Sequence, residues 1–421
     1  MAKKSTQVQF TENPAGKLAE KISRPIRNFL AMESSSGILL LVTTALALII
    51  ANSAWGPAYF HLLHVPFTIA FGEFAKTSTL HHVVNDGLMV LFFYVVGLEI
   101  KRELFFGRLS NPRTASFTVF AAIGGMIVPA IVYYLFNNHS PGEPGWGIPM
   151  ATDIAFAVGV MALLGNRVPL ALKVFLLAFA IVDDLGAVMV IAFFYTQELY
   201  PQYLGFAGGA LFLLFLLSYA GVRHIVVGIT LGLFVWFCFL QSGVHATIAG
   251  VILAFLTPSG QVPAITPKQI KESNDSSALE RWETALHPWV SYLIMPIFAF
   301  FNAGVELKGI TVADLLQNTV SLGILSGLIF GKPIGIFLSS FIAVKAKLAY
   351  LPDGVSWNHI LGAGFLGGVG FTMSLFINNL AFSTSGIDTY SKSAILLASA
   401  VAGFAGYVSL LLITKPSKPN Q

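Results

Sequence analysis

Charge is scarce in this chain. Asp, Glu, Lys and Arg make up 10% of its 421 residues, whereas soluble domains carry about a quarter, so a soluble globular class is excluded. Cysteine is scarcer still. The single Cys238 lies inside an apolar run, which rules out an intrachain disulfide or a cysteine metal cluster. A strong excess of one sign of charge is also missing. The formal net charge is +4, and nothing in it points to a nucleic-acid partner. The chain has hydrophobic mass instead: 55% of its residues, with 36 Phe and 39 Gly. That mass is laid out in repeated apolar runs of roughly 20 residues, the length that carries a helix across a bilayer. The composition therefore reads as an all-α integral membrane protein.

Twelve transmembrane helices are predicted, near residues 37–53, 84–100, 115–136, 147–165, 170–196, 203–221, 224–239, 243–256, 288–306, 319–343, 358–380 and 391–413. Residues 1–36 are polar, too long a lead for a signal-peptide n-region, and include an amphipathic segment over 18–30 at the membrane surface. The 53–83 connection has room for a strand pair around Pro66, and the 257–287 connection is polar and rich in Pro, Ser and charge. A single transmembrane domain, 37–413, and a short tail, 414–421, complete the organisation. With the amino terminus inside, the cytoplasmic segments hold 20 Lys and Arg, while the outside loops hold only Lys76, Lys308 and Lys392. This is the bias of the positive-inside rule, and it puts both termini in the cytoplasm. The division of 224–256 into two spans at Gln241, Ser242 and Gly243 is needed for that balance. Fusing them would put Lys268, Lys271 and Arg281 outside.

Residues 147–195 contain what a bilayer should exclude. The fourth span is interrupted by Pro149, Thr152 and Asp153, and the fifth carries adjacent acids, Asp183 and Asp184. A carboxylate at that depth costs at least ~2.5–3.5 kcal/mol. Span eleven has its own interruption, at Gly362, Gly364, Gly367, Gly368 and Gly370. Spans 3–5 and 10–12 therefore each read as two helices flanking a broken one. The two triplets are offset by seven spans, an odd number, so they run in opposite senses. Paired interruptions in an inverted repeat point to a transport site at the repeat interface, with the broken helices of spans 4 and 11 crossing there.

Asp183 and Asp184 diverge by about 100° on a helix, and two acids so close in a low-dielectric place disfavour joint ionisation. A bound cation reverses that, so the pair suits exchange of protons for a small hard cation. Asp153 follows Pro149, where the helical ladder is disrupted; it can neutralise freed N–H groups at a half-helix start, and Thr152 can offer an oxygen ligand. Charge balance and direct ligation stay open for both. Lys332, beside Gly331 and Pro333, is the one basic residue deep in a span. It can pair with Asp183 or balance the carboxyl end of a broken helix. Glu99, Lys101, Arg102 and Glu103 close span two on the inside, and Glu280, Glu283 and His287 precede span nine on the same side. These are interfacial anchors or a proton-responsive cluster. His245 reads as an interhelical hydrogen bonder.

The stretches ATDIAFAVG, AIVDDLGAV, LMVLFFYVVGLEIKREL, SGVHATIAGV, LHPWV, FNAGV, GKPIG and GFTMSLFI together resemble the bacterial NhaA family of sodium/proton antiporters. The resemblance runs over residues 38–414, with the motifs in family order. It implies that Asp183 and Asp184 form the cation and proton site for Na⁺ or Li⁺, and that Asp153, Thr152 and Lys332 support it, with Lys332 able to pair with Asp183. It implies that Glu99, Arg102 and Glu103 belong to the pH-responsive inner end, with Glu283 and His287 nearby. One departure stands out: Thr284 occupies a position where the family has histidine. The family exports Na⁺ or Li⁺ for more than one H⁺ across the bacterial inner membrane, and forms homodimers through a hairpin between the first two spans. The ions are cargo, and no cofactor is implied.

Other readings fit less well. An intramembrane aspartyl protease needs facing aspartates with a glycine-framed motif, whereas Asp183 and Asp184 share one helix. A cation channel needs a continuous polar lining, and these acids are confined to one depth. A sodium-coupled organic-anion symporter of similar fold is the nearest alternative, but no deep arginine is present to grip a carboxylate.

Overall fold

The computed structural model describes residues 35–71, 74–196, 199–220, 224–259, 277–382 and 387–414. The expected amphipathic segment at 18–30, most of the 257–287 connection and the tail beyond 414 lie outside the described residues. Within them the molecule is helical except for one hairpin. The helices are α1 Ser35–Ala51, α2 Gly56–Leu63, α3 Leu80–Phe105, α4 Pro112–Asn137, α5 Ile154–Ala162, α6 Leu170–Phe194 and α7 Pro201–Tyr219. After these come α8 Ile225–Ser242, α9 Thr247–Leu256, α10 Ala278–Ala303, α11 Thr319–Lys345, α12 Trp357–Gly367, α13 Phe371–Ala381 and α14 Asp388–Ile413.

An apolar helical element stands at each of the twelve predicted positions. By length and composition, nine helices among the described residues can cross a membrane, or up to eleven if each of two bent pairs counts as one span. The chain is thus a multi-pass membrane protein. The ten-residue α9 rises only ~15 Å, half a hydrocarbon core, so the number twelve remains an expectation. The division of 224–256 does have a visible cause: Gly243 caps α8 at φ 83°, a left-handed turn that ends helices.

Two boundaries differ from expectation. The polar connection was predicted to run to 287, but α10 begins at Ala278. Ser277 Oγ accepts the Glu280 amide and Glu280 Oε2 accepts the Ser277 amide, each at 3.2 Å, and this capping box nucleates the helix inside the polar stretch. The 53–83 connection is also more than a strand pair. α2 turns back from α1 by 113° before the antiparallel strands β1 Pro66–Phe71 and β2 Phe74–Thr79, which pair Pro66 with Thr79 and Phe71 with Phe74.

Wide π turns interrupt three long helices, at Val84–Leu88, Val290–Ile294 and Gly327–Gly331. The last two sit just before Pro296 and Pro333. A proline ring clashes with the carbonyl four residues back, and a π turn moves that carbonyl aside. Against the third π turn, α11 packs on α4 so closely that a Cβ on Gly335 would run into the Gly124 backbone. The acid-bearing α6 is held by α3, α4, α5 and α12, which places its midpoint in the densest part of the bundle.

Candidate ion-binding site

Helical bonding lapses at 151–153, between a 3-10 segment Glu143–Met150 and α5, and again at 368–370, between α12 and α13. The two lapses meet. The Asp153 amide donates to Val369 O at 2.7 Å, and Thr152 Oγ1 donates to Gly367 O at 2.8 Å. The first break thus satisfies carbonyls that the second left unpaired, as buried backbone requires. Ser374 Oγ donates to Ile148 O at 2.8 Å, and the Phe371 amide donates to Ser399 Oγ at 3.0 Å.

Charges complete the arrangement. Asp153 is the N-cap of α5, its Oδ1 accepting the Phe156 amide at 2.9 Å. Its Oδ2 accepts the Thr372 amide at 3.2 Å and also the Thr372 hydroxyl. One carboxylate therefore sits at the amino ends of two half-helices, where the macrodipole is positive. Lys332 takes the opposite end, donating from Nζ to Met150 O at the close of the 3-10 segment. The same Nζ lies 2.7 Å from Asp183 Oδ2, with both side chains fully buried. The two roles expected for Lys332 as alternatives are therefore combined. The ammonium also sits 5.9 Å from the Phe179 ring centroid, a range at which the ring face adds some attraction.

Asp183 and Asp184 part as helix geometry requires. Asp183 leans on Lys332, while both Asp184 oxygens are buried with no hydrogen-bond partner among the described residues. Thr152 lies beside Asp183. Hard carboxylate and hydroxyl oxygens of this kind are what a small hard cation takes as ligands. Among the described residues, no three His, Cys, Asp or Glu side chains gather as a resident metal centre would need.

The structure also gathers the inner-end residues, in a separate place. Arg102 Nε lies 3.0 Å from both Glu283 oxygens, joining α3 to α10. Glu99 Oε1 is 3.9 Å from His287 Nε2, and Glu103 Oε2 is 3.9 Å from an Arg102 nitrogen. Glu103 Oε1 accepts the Arg108 amide at 2.8 Å. Lys101 is committed elsewhere, donating to Phe255 O and Thr257 O at the end of α9, at 2.7 and 2.6 Å. His245 Nε2 bonds Tyr195 O at 2.7 Å, the interhelical bond expected of it. Sequence reasoning missed Thr372, Ser374 and Ser399. The first two lie in GFTMSLFI, where polar residues directly after a glycine break were the available signal; Ser399, on α14, gave none.

The family model described as Na⁺/H⁺ antiporter 1 matches residues 27–410. The Na(+)/H(+) antiporter NhaA of Shewanella pealeana is 49% identical over 389 residues, covering 92% of this chain and 96% of that protein. The NhaA of Mannheimia succiniciproducens is 48% identical over 395 residues, covering 93% and 99%. That of Helicobacter pylori strain HPAG1 is 46% identical over 430 residues, covering 95% and 98%. Matches of that extent and identity place this chain in the Na⁺/H⁺ antiporter 1 family.

Proposed function

We propose that this chain is a secondary transporter of the bacterial inner membrane that exports Na⁺ or Li⁺ in exchange for H⁺, with Asp183 and Asp184 as the shared ion and proton site. The observation that carries the reading is the pair of buried Asp184 carboxylate oxygens, which no donor among the described residues satisfies, beside an Asp183 held by Lys332 and Thr152. Such oxygens call for a partner, and a proton or a cation can supply it. In the cycle, both acids release protons on one side and together hold one monovalent cation. They release it on the other side as they are reprotonated. Two protons for one cation moves net charge, so the exchange is electrogenic and driven by the membrane potential.

Asp153 balances charge in this scheme, because its oxygens are occupied by Phe156 and Thr372. Thr152 donates its proton to Gly367 and keeps lone pairs for the cation. Lys332 compensates Asp183 whenever that acid is ionised. The cluster of Glu99, Arg102, Glu103, Glu283 and His287 adjusts activity to cytoplasmic pH, both termini are cytoplasmic, and β1 and β2 join two copies in a homodimer. The family membership and the resemblance of the quoted motifs support these assignments.

The deciding experiment uses everted membrane vesicles with an established proton gradient. Adding Na⁺ or Li⁺ should collapse the gradient and adding K⁺ should not. A gradient that resists Na⁺ and Li⁺ but falls on adding an organic anion with Na⁺ would favour the symporter.

A further inference from the structure

A second buried polar cluster plays no part in the exchange chemistry above. Asn302 Oδ1, in the last turn of α10, accepts from His81 Nε2 at 2.8 Å, Asn85 Nδ2 at 3.3 Å and Asn379 Nδ2 at 2.6 Å. Because an amide oxygen only accepts, His81 must carry its proton on Nε2. Asn302 Nδ2 donates in turn to Asn85 Oδ1 at 2.9 Å and Phe298 O at 2.8 Å. Three donors converging on one oxygen of a residue that is 1% exposed form a specified joint, since each lost bond would leave a buried group unpaired.

The cluster bridges two sets of helices. α3 and α10 pack with each other and with α1 and α9, and they supply His81, Asn85 and Asn302. α13 packs on the 3-10 segment and α14, within the set that carries the crossing, meets α10 of the first set directly, and supplies Asn379. The bond from Asn379 to Asn302 therefore ties one set to the other. One or two turns inward from it, Phe376 meets Phe93 and Phe298, with ring centroids 5.4 and 6.3 Å apart. All three rings are at most 1% exposed. In the orientation set by the Lys and Arg bias, each of the four polar residues sits at the outer end of its span.

We propose that the Asn302 cluster is the outer latch of the transport path. While Asn379 is bonded to Asn302, the aromatic layer beneath it seals Asp183 and Asp184 from the outside, and opening outward requires that bond to break. The latch rests on the proposed ion site and orientation. Its chemistry suits a joint opened in every cycle, because neutral hydrogen bonds contribute modestly to net stability and are exchangeable for water.

Two measurements test it. In a Cys238→Ser background, Asn302→Cys and Asn379→Cys are combined and bridged with the thiol cross-linker dibromobimane. Bridging should lower Na⁺-driven proton exchange at least tenfold relative to the same double variant capped with a monofunctional maleimide. Equal rates in the bridged and capped proteins would overturn the latch. If the double variant does not fold, a labelling experiment decides. Ala299, fully buried one turn inward of Asn302, is replaced by Cys, with and without Asn379→Ala. An impermeant methanethiosulfonate applied from outside should label the Asn379→Ala protein at least fivefold faster. Unchanged labelling would overturn the proposal. Labelling does not depend on transport, so it reads the latch even if Asp184→Asn still exchanges Na⁺ for H⁺, the result that would defeat the ion-site reading instead.

Discussion

Among the described residues, two of the ion pairs that tie spans together differ in their access to water. Lys332 and Asp183 are both fully buried at 2.7 Å. Arg102 and Glu283 are 3.0 Å apart, but their side chains are 36% and 15% exposed. At the crossing, Asp183 and Lys332 answer each other and Asp153 answers two helix ends, and removing one charge of the pair leaves the other stranded in low dielectric. At the inner end, solvent can screen a lost partner, and such a pair contributes little to stability. The buried site is thus committed to chemistry, while the exposed cluster is free to respond to its surroundings.

The largest effect should come from the acids themselves. Asp183→Asn and Asp184→Asn should each abolish Na⁺-dependent proton movement in everted vesicles while the protein still inserts and folds. Exchange at the parental rate in either variant would remove that acid from the mechanism. On the proposed shared-site mechanism, protons and Na⁺ compete for the same oxygens in the parental protein. Where the site is fully protonated, each pH unit lost should therefore raise the apparent Na⁺ dissociation constant about tenfold per competing proton, or ~1.4 kcal/mol. Titration calorimetry from pH 6 to 9 checks this, and a flat profile in a protein that still exchanges would mean that protons take another route.

Next in size is Lys332→Ala. Unpairing a buried acid costs about 3–5 kcal/mol, visible as a lower melting temperature, and Lys332→Arg should be milder. Adding Asp183→Asn to Lys332→Ala should recover part of the loss, because no charge is then left alone. A double variant less stable than either single would break the account of the pair. Thr372→Val, which removes a donor to the Asp153 carboxylate, should cost about 1.5–3 kcal/mol, read by denaturation in detergent. The smallest change is expected from Arg102→Ala: about 1 kcal/mol or less in stability, with the pH profile of exchange altered. A loss as large as that of Lys332→Ala would erase the contrast between the two regions.

The sequence by itself determined the membrane class, the positions of the apolar helices, an interruption around Pro149, Thr152 and Asp153 and another within the glycine run Gly362 to Gly370, and the candidate residues. These follow from local facts. A proline or a glycine run weakens a helical ladder wherever it stands, and a carboxylate in an apolar run is costly to bury. Some boundaries were equally local but were hidden by polarity, as at Ala278, where a capping box begins a helix inside a stretch that reads as loop. The tertiary structure alone decided which groups meet. Asp153 and Thr372 are 219 residues apart in the chain, and Lys332 and Asp183 are 149 apart, so no periodicity links them. Whether Lys332 would serve Asp183 or a helix end depended on the packing of α11 against α4, and the close approach of the two breaks let one ammonium do both. The same packing gave Asp153 two helix ends to cap and left Asp184 without a partner. Sequence specifies how costly each buried charge is, and only the fold decides what stands beside it.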